Sequence, residues 1–246
     1  MTGPSRSSLD RALAAAFPLL LGGLLVRLVV TGRYRDYVKA SMWPWLTLAG
    51  LGLLAGAVWE LAARRALAQE HRPAIAWLLL VPVVVILGAA PGALGSAALE
   101  RSTHARPARV TADGHWAPLD AAQAPIEMTI GEFVERTYAG PSTTGVPVTL
   151  VGFVAADDED GTAAFRVVRF RISCCAADAA PVAVRVMHDG ADTATGASAA
   201  PAVDAWVRIT GTLEPDTPAV LQPRFHATAL DVIPAPSSPY ESLVVP

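Results

Sequence analysis

The sequence predicts a membrane α-helical N-terminal part with three transmembrane helices, followed by a mainly β, OB-like five-stranded barrel domain with one short helix. Three observations carry this expectation. The long uncharged runs all precede residue 100, whereas the rest of the chain alternates apolar and polar residues and is dense in Pro, Asp and Thr. Strand-like segments then recur at short, regular spacing between turn residues. Finally, Gly152 and Gly211 fall inside two of those segments, where the missing side chain permits the bends that close a small sheet on itself. The implied organisation is a transmembrane region at 1–99, a juxtamembrane linker at 100–125, a barrel domain at 126–236 and a C-terminal tail at 237–246.

The run from Ala12 to Val26 continues past Arg27 through Val30, long enough to cross a hydrocarbon core of about 30 Å with Arg27 reaching the interface. A second uncharged run spans Ala40 to Trp59 and a third Pro73 to Leu99. The expected helices are therefore about 11–31, 42–62 and 74–99. Arg6 and Arg11 before the first run would also suit a cleaved leader, but the run is long for one, and Arg33-Tyr34-Arg35 follows it in place of small residues. Gly52 and Gly56 in the second run have GxxxG spacing, and Gly88, Gly92 and Ser96 repeat it in the third. Both segments thus offer faces for close helix packing, while Pro82 and Pro91 would bend the third. No Asp, Glu, Lys or His lies in the middle of any run, which argues against a transport pathway built from these helices alone.

Basic residues near the membrane ends vote weakly on orientation. With the N-terminus inside, Arg6, Arg11, Arg64, Arg65 and Arg72 face the cytoplasm, against Arg27, Arg33, Arg35, Lys39, Arg101, Arg106 and Arg109 on the other side.

In the soluble part, Glu100 to Pro125 is rich in breakers and reads as the linker. Thr129-Ile130-Gly131-Glu132 then has capping-box spacing, and Ile130, Phe133, Val134 and Tyr138 follow at helical intervals up to Gly140, which predicts the short helix. The expected strands are Val146–Ala155, Phe165–Cys174, Val182–Met187, Trp206–Leu213 and His226–Ile233. Between the first two, Asp157-Asp158-Glu159-Asp160-Gly161 lacks the ligand spacing of a calcium loop and reads as a solvated hairpin turn.

A net charge of −3, with 19 basic residues spread along the chain, provides no stripe to neutralise phosphates, so nucleic acid is not an expected partner. No Ser-His-Asp set, paired catalytic carboxylates or phosphate loop stands at recognisable spacing, and no enzyme is expected. The chemistry-bearing stretch is Arg169-Phe170-Arg171-Ile172-Ser173-Cys174-Cys175-Ala176-Ala177-Asp178, which holds both cysteines. Cys174, Cys175 and Asp178, with His188 or His226, would supply the ligands of a tetrahedral zinc site. Adjacent residues in a strand point to opposite faces, so one ion could reach both sulfurs only if a bulge or a turn intervened. A vicinal disulfide is the redox alternative, and Arg169 and Arg171 are the nearby cations that could lower a thiol pKa. The plain structural reading places one cysteine in the core as a small apolar residue and lets Asp178 cap the following turn.

The same stretch resembles the signature of the YcgQ-like permease-subunit family, which carries an Arg-Phe, then a Cys, then Ala-Asp. In this sequence those residues are Arg169, Phe170, Cys175, Ala177 and Asp178. The resemblance extends to the paired N-terminal helices, Pro91-Gly92-Ala93-Leu94-Gly95, the capped short helix, Gly152-Phe153, the run from Trp206 to Leu213, and Pro239-Tyr240. It implies a multi-pass cell-membrane protein, accessory to a separate multi-helix permease in the lipid bilayer, with an extracytoplasmic OB-like domain and a link to transition metals, zinc especially. Members with a His-rich loop between the second and third helices differ from this chain, which has only His71 there. The alternative function is a membrane-tethered thiol protein that uses Cys174 and Cys175 for metal transfer or redox chemistry.

Overall fold

The computed structural model describes residues 6–63, 92–102, 116–139, 143–157, 165–187, 200–214 and 222–242. The chain divides into two compact units, Met1–Ala93 and Leu94–Pro246.

In the first unit, helices α1 (Arg6–Val30) and α2 (Trp43–Ala63) pack against each other. Gly32 closes α1 from the left-handed region, at φ 74°, a conformation that costs glycine little. Tyr34 is buried behind it, and its hydroxyl donates to the Ala40 carbonyl at 3.1 Å. Close approach of the two helices depends on Gly22 and Gly50. A Cβ at Gly22 would stand 2.8 Å from the Gly50 carbonyl oxygen, and one at Gly50 would stand 3.0 Å from Val26 Cγ2. The expected GxxxG pair takes no part in this contact, because a Cβ at Gly52 or Gly56 would meet nothing within 4 Å.

Of the three expected membrane helices, the described residues bear out one. Among the described residues only Ala40–Trp59 is long and apolar enough to cross a membrane. Helix α1 begins with polar residues, including Arg6, Asp10 and Arg11, and its apolar stretch is the shorter Phe17–Val30. Most of the expected third helix lies outside the described residues. At its expected end, Gly92–Gly95 are not helical and Ser96–Ser102 form a separate short helix, α3, which belongs to the second unit.

The second unit is mainly β. Its strands are β1 (Ile126–Glu127), β2 (Val148–Ala155), β3 (Phe165–Ile172), β4 (Ala180–Met187), β5 (Trp206–Leu213), β6 (Arg224–Ile233) and β7 (Tyr240–Ser242). The five expected strands are β2 to β6, and they pair in a closed ring. Antiparallel pairs join β2 to β3, β3 to β4, β2 to β5 and β5 to β6, and a parallel pair of β4 with β6 completes it. The two glycines within the strands serve the closure as expected. A Cβ at Gly152 would stand 2.6 Å from the Val168 carbonyl oxygen, and Gly211 sits at a break in the β5–β6 register, where a Cβ would collide with the His226 carbonyl oxygen.

Helix α4 (Ile130–Ala139) forms where the capping spacing placed it, with Thr129 Oγ1 accepting the Glu132 N–H at 3.0 Å. Its apolar face, Ile130, Phe133 and Val134, joins Leu150, Val167, Val184, Ile209 and Phe225 in one core, and Phe133 meets Phe225 edge to face at 5.5 Å.

Segments read as the end of the third helix, as linker and as tail are fastened to this unit. Arg136 donates to the Ala117 carbonyl at 2.8 Å and lies over the Trp116 ring. Leu94 N–H donates to the Tyr240 hydroxyl at 3.0 Å, and Asp204 accepts from both the N–H and the hydroxyl of Ser96, at 2.7 and 2.8 Å. Within the expected tail, β7 pairs in parallel with β3, Phe170 facing Tyr240 and Ile172 facing Ser242. Of the expected hairpin turn, Asp157 alone is described, and it is ion-paired with Arg185 at 2.9 Å instead of solvated. The rest lies outside the described residues.

Candidate metal centre

The end of β3 sets the position of both cysteines. The strand stops at Ile172, two residues earlier than the sequence suggested, so strand alternation no longer governs Cys174 and Cys175. Ser173 and Cys174 bend out of the sheet, Cys175 is extended at φ −153° and ψ 169°, and Ala176–Asp178 complete one 3-10 turn. Asp178 ties this turn to the strand end. Its Oδ1 accepts the Ser173 N–H at 2.8 Å, and its Oδ2 accepts those of Cys174 at 2.8 Å and Cys175 at 3.3 Å. A short carboxylate side chain that bonds nearby amides in this way stabilises a turn in preference to a continued strand.

The turn brings the two sulfurs together at 3.6 Å. Cys174 is exposed and Cys175 half-exposed, so neither cysteine is the core residue that the structural reading expected. Among the described residues, Cys174, Cys175 and Asp178 form the one group of three metal-ligating side chains, each offering a ligand atom within 4.8 Å of the others. His226 lies on β6 outside this group, and His188 and His71 lie outside the described residues.

The electrostatics of the cluster are those of crowded negative groups. The Cys174 thiol is pushed up to about 12, first by its hydrogen bond to Asp178 and then by Cys175, because losing the proton would set a thiolate beside a carboxylate. Partial burial pulls Asp178 upward, but donation from the Cys174 thiol and the three amides outweighs it and holds the carboxyl below its ordinary 3.8. Arg169 and Arg171 do not lower the thiol as the sequence suggested, since both are engaged elsewhere. A bound cation would replace the thiol proton and relieve the same crowding.

The donor set fits a zinc-like ion. Two sulfurs held about 2.3 Å from a tetrahedral ion lie about 3.8 Å apart, close to the 3.6 Å found here. Two thiolates and one carboxylate leave the fourth position open, which suits an ion that exchanges ligands more than a closed structural site.

The remaining signature residues have structural work. Arg169 donates to the carbonyls of Ser238, Pro239 and Val151 and lies over the Trp206 ring, so it binds the C-terminal segment to β2. Burial lowers its pKa, against the opposing pull of Glu241. Phe170 is buried and stacked on Phe153, with ring centres 5.9 Å apart. Ala177 is an exposed residue within the turn.

Sequence reasoning missed a buried charge cluster that joins α4, β3 and β7. Arg171 pairs with Glu135 of α4 at 2.5 Å. Glu241 accepts the Ile130 and Gly131 N–H groups at 2.8 and 2.9 Å, capping α4 from β7, and burial pushes its carboxyl above the usual range. Gly131 is required there, because a Cβ would stand 2.9 Å from both Arg171 Cδ and Glu241 Oε2. The only available signal was the helix start at Thr129, which locates amides in need of a partner without naming the residue that supplies it.

Residues 132–241 match the DUF1980 C-terminal domain. The match runs from α4 to β7, contains the cysteine turn and is compatible with the YcgQ-like resemblance. Comparison with curated proteins and with solved structures gives no match.

Proposed function

We propose that this chain is a non-enzymatic accessory subunit of a two-component membrane permease, which presents a zinc-like divalent ion on an OB-like domain beside a multi-helix transport subunit. The observation that carries the reading is the Cys174, Cys175 and Asp178 cluster, whose thiol separation suits a tetrahedral ion and whose exposure leaves a coordination position open for transfer. Exposure on a turn suits handing an ion to a partner, whereas a structural zinc would be enclosed by four ligands.

Helix α2 supports the membrane part. Besides its length, it exposes Trp43 and Trp45 at one end and Trp59 at the other, as expected for aromatic residues at the two faces of a bilayer. The closed pairing order of β2 to β6, with its single parallel pair, favours an OB-like barrel. A multi-pass anchor and an extracytoplasmic domain complete the proposal, and both follow the family resemblance.

The test is purification of the tagged full chain from membranes in mild detergent, with partner identification and metal analysis on the same sample. The expected result is a co-purifying multi-helix membrane protein and about one zinc per chain, lost in Cys174→Ser/Cys175→Ser at unchanged yield. A chain that runs alone and metal-free removes the proposal.

A further inference from the structure

We infer that Cys174 and Cys175 form a reversible vicinal disulfide, so that the turn is a redox-modified site whose oxidised form has no thiolates for a metal. The disulfide stands on the geometry of the turn alone; its consequence for the metal rests on the function proposed above.

The sulfurs are adjacent in sequence and already 3.6 Å apart, so closing a bond of about 2.05 Å needs a movement of about 1.5 Å. Access is open, since Cys174 is exposed and Cys175 half-exposed. The hydrogen bonds of Asp178 also leave the necessary peptide the least restrained. The amide that must turn is the one joining the two cysteines. Its N–H makes the longest of the three bonds to Asp178, at 3.3 Å against 2.8 Å for its neighbours. Strain in so small a ring keeps the bond easily reduced, which suits a switch more than a permanent staple.

The oxidant is a low-molecular-weight disulfide such as oxidised glutathione. One cysteine thiolate attacks a glutathione sulfur, the glutathione S–S bond breaks, and the first glutathione thiolate leaves and takes up a proton. The neighbouring cysteine then gives up its proton to solvent as its sulfur attacks the protein sulfur of the mixed disulfide, forming the Cys174–Cys175 bond and releasing the second glutathione thiolate, which takes up a proton. The protein loses two electrons and two protons, and one glutathione disulfide becomes two thiols.

The experiment exposes the reduced full chain, in mild detergent, to oxidised glutathione and follows intact mass, free thiols and zinc content before and after added dithiothreitol. The expected product is lighter by two hydrogen atoms, has no free thiols, carries no zinc, and recovers both thiols and zinc on reduction. Cys174→Ser, left with one thiol, is expected to stop at a stable glutathione adduct. Thiols that persist in the parent, a lasting adduct on it, or a disulfide between two chains would overturn the inference. A disulfide that forms while zinc stays bound would overturn the switching consequence. Zinc absent from the reduced chain would overturn the metal reading instead, and mass and thiol count would still decide the disulfide.

Discussion

Glu241→Ala is expected to destabilise the ring domain, although the residue lies in what reads as a tail. Its side chain is buried and accepts two α4 amides, at 2.8 and 2.9 Å. Alanine leaves both donors without a partner, at about 1–3 kcal/mol each, and removes a negative group from a helix N-terminus. Because burial already pushes the Glu241 carboxyl upward, part of this loss is returned by removing a costly buried charge. A net cost of about 3 kcal/mol follows, which corresponds to roughly 100-fold in a local opening equilibrium. The assay is amide hydrogen exchange on the full chain, read at Ile130 and Gly131 against core strand β5 as the internal reference. Glu241→Gln, which keeps one carbonyl oxygen and no charge, is expected to lose less than half as much protection. Unchanged exchange at both amides in the alanine variant would refute the reasoning, because it would mean that another group caps α4.

Two further outcomes are expected. Gly22→Leu collides with the Gly50 carbonyl oxygen and is expected to lower the thermal stability of the helical unit in detergent, while Gly52→Leu, facing open space, leaves it unchanged; equal effects would show that the contact does not depend on Gly22. Asp178 is held below its ordinary value, so its support of the turn is full above that value and is lost as pH falls through the folded-state value. The Ser173 and Cys174 amide resonances are therefore expected to shift together with a midpoint below pH 3.8, and a midpoint above it would mean that these bonds do not stabilise the carboxylate.

Much of this protein follows from its sequence alone. The five ring strands, the capped helix α4 and the bend glycines Gly152 and Gly211 are local features, set by two- and 3.6-residue periodicity and by the positions where a side chain is missing. The candidate site residues Cys174, Cys175 and Asp178 were also legible, since ligating residue types announce themselves by chemistry. Their arrangement was not. Strand alternation argued against a shared ion, and only the three amides that Asp178 gathers, ending β3 at Ile172, decide that the sulfurs lie together. The same limit applies to small residues in the helices, where spacing pointed to Gly52 and Gly56 but the observed contact uses Gly22 and Gly50, because pairing depends on which faces meet. Tertiary structure alone decided the role of the C-terminal segment. Glu135, the strand pair Arg169 and Arg171, and Glu241 lie in three segments far apart in sequence, and a charge becomes a cap or a clamp only when folding buries it beside its partner.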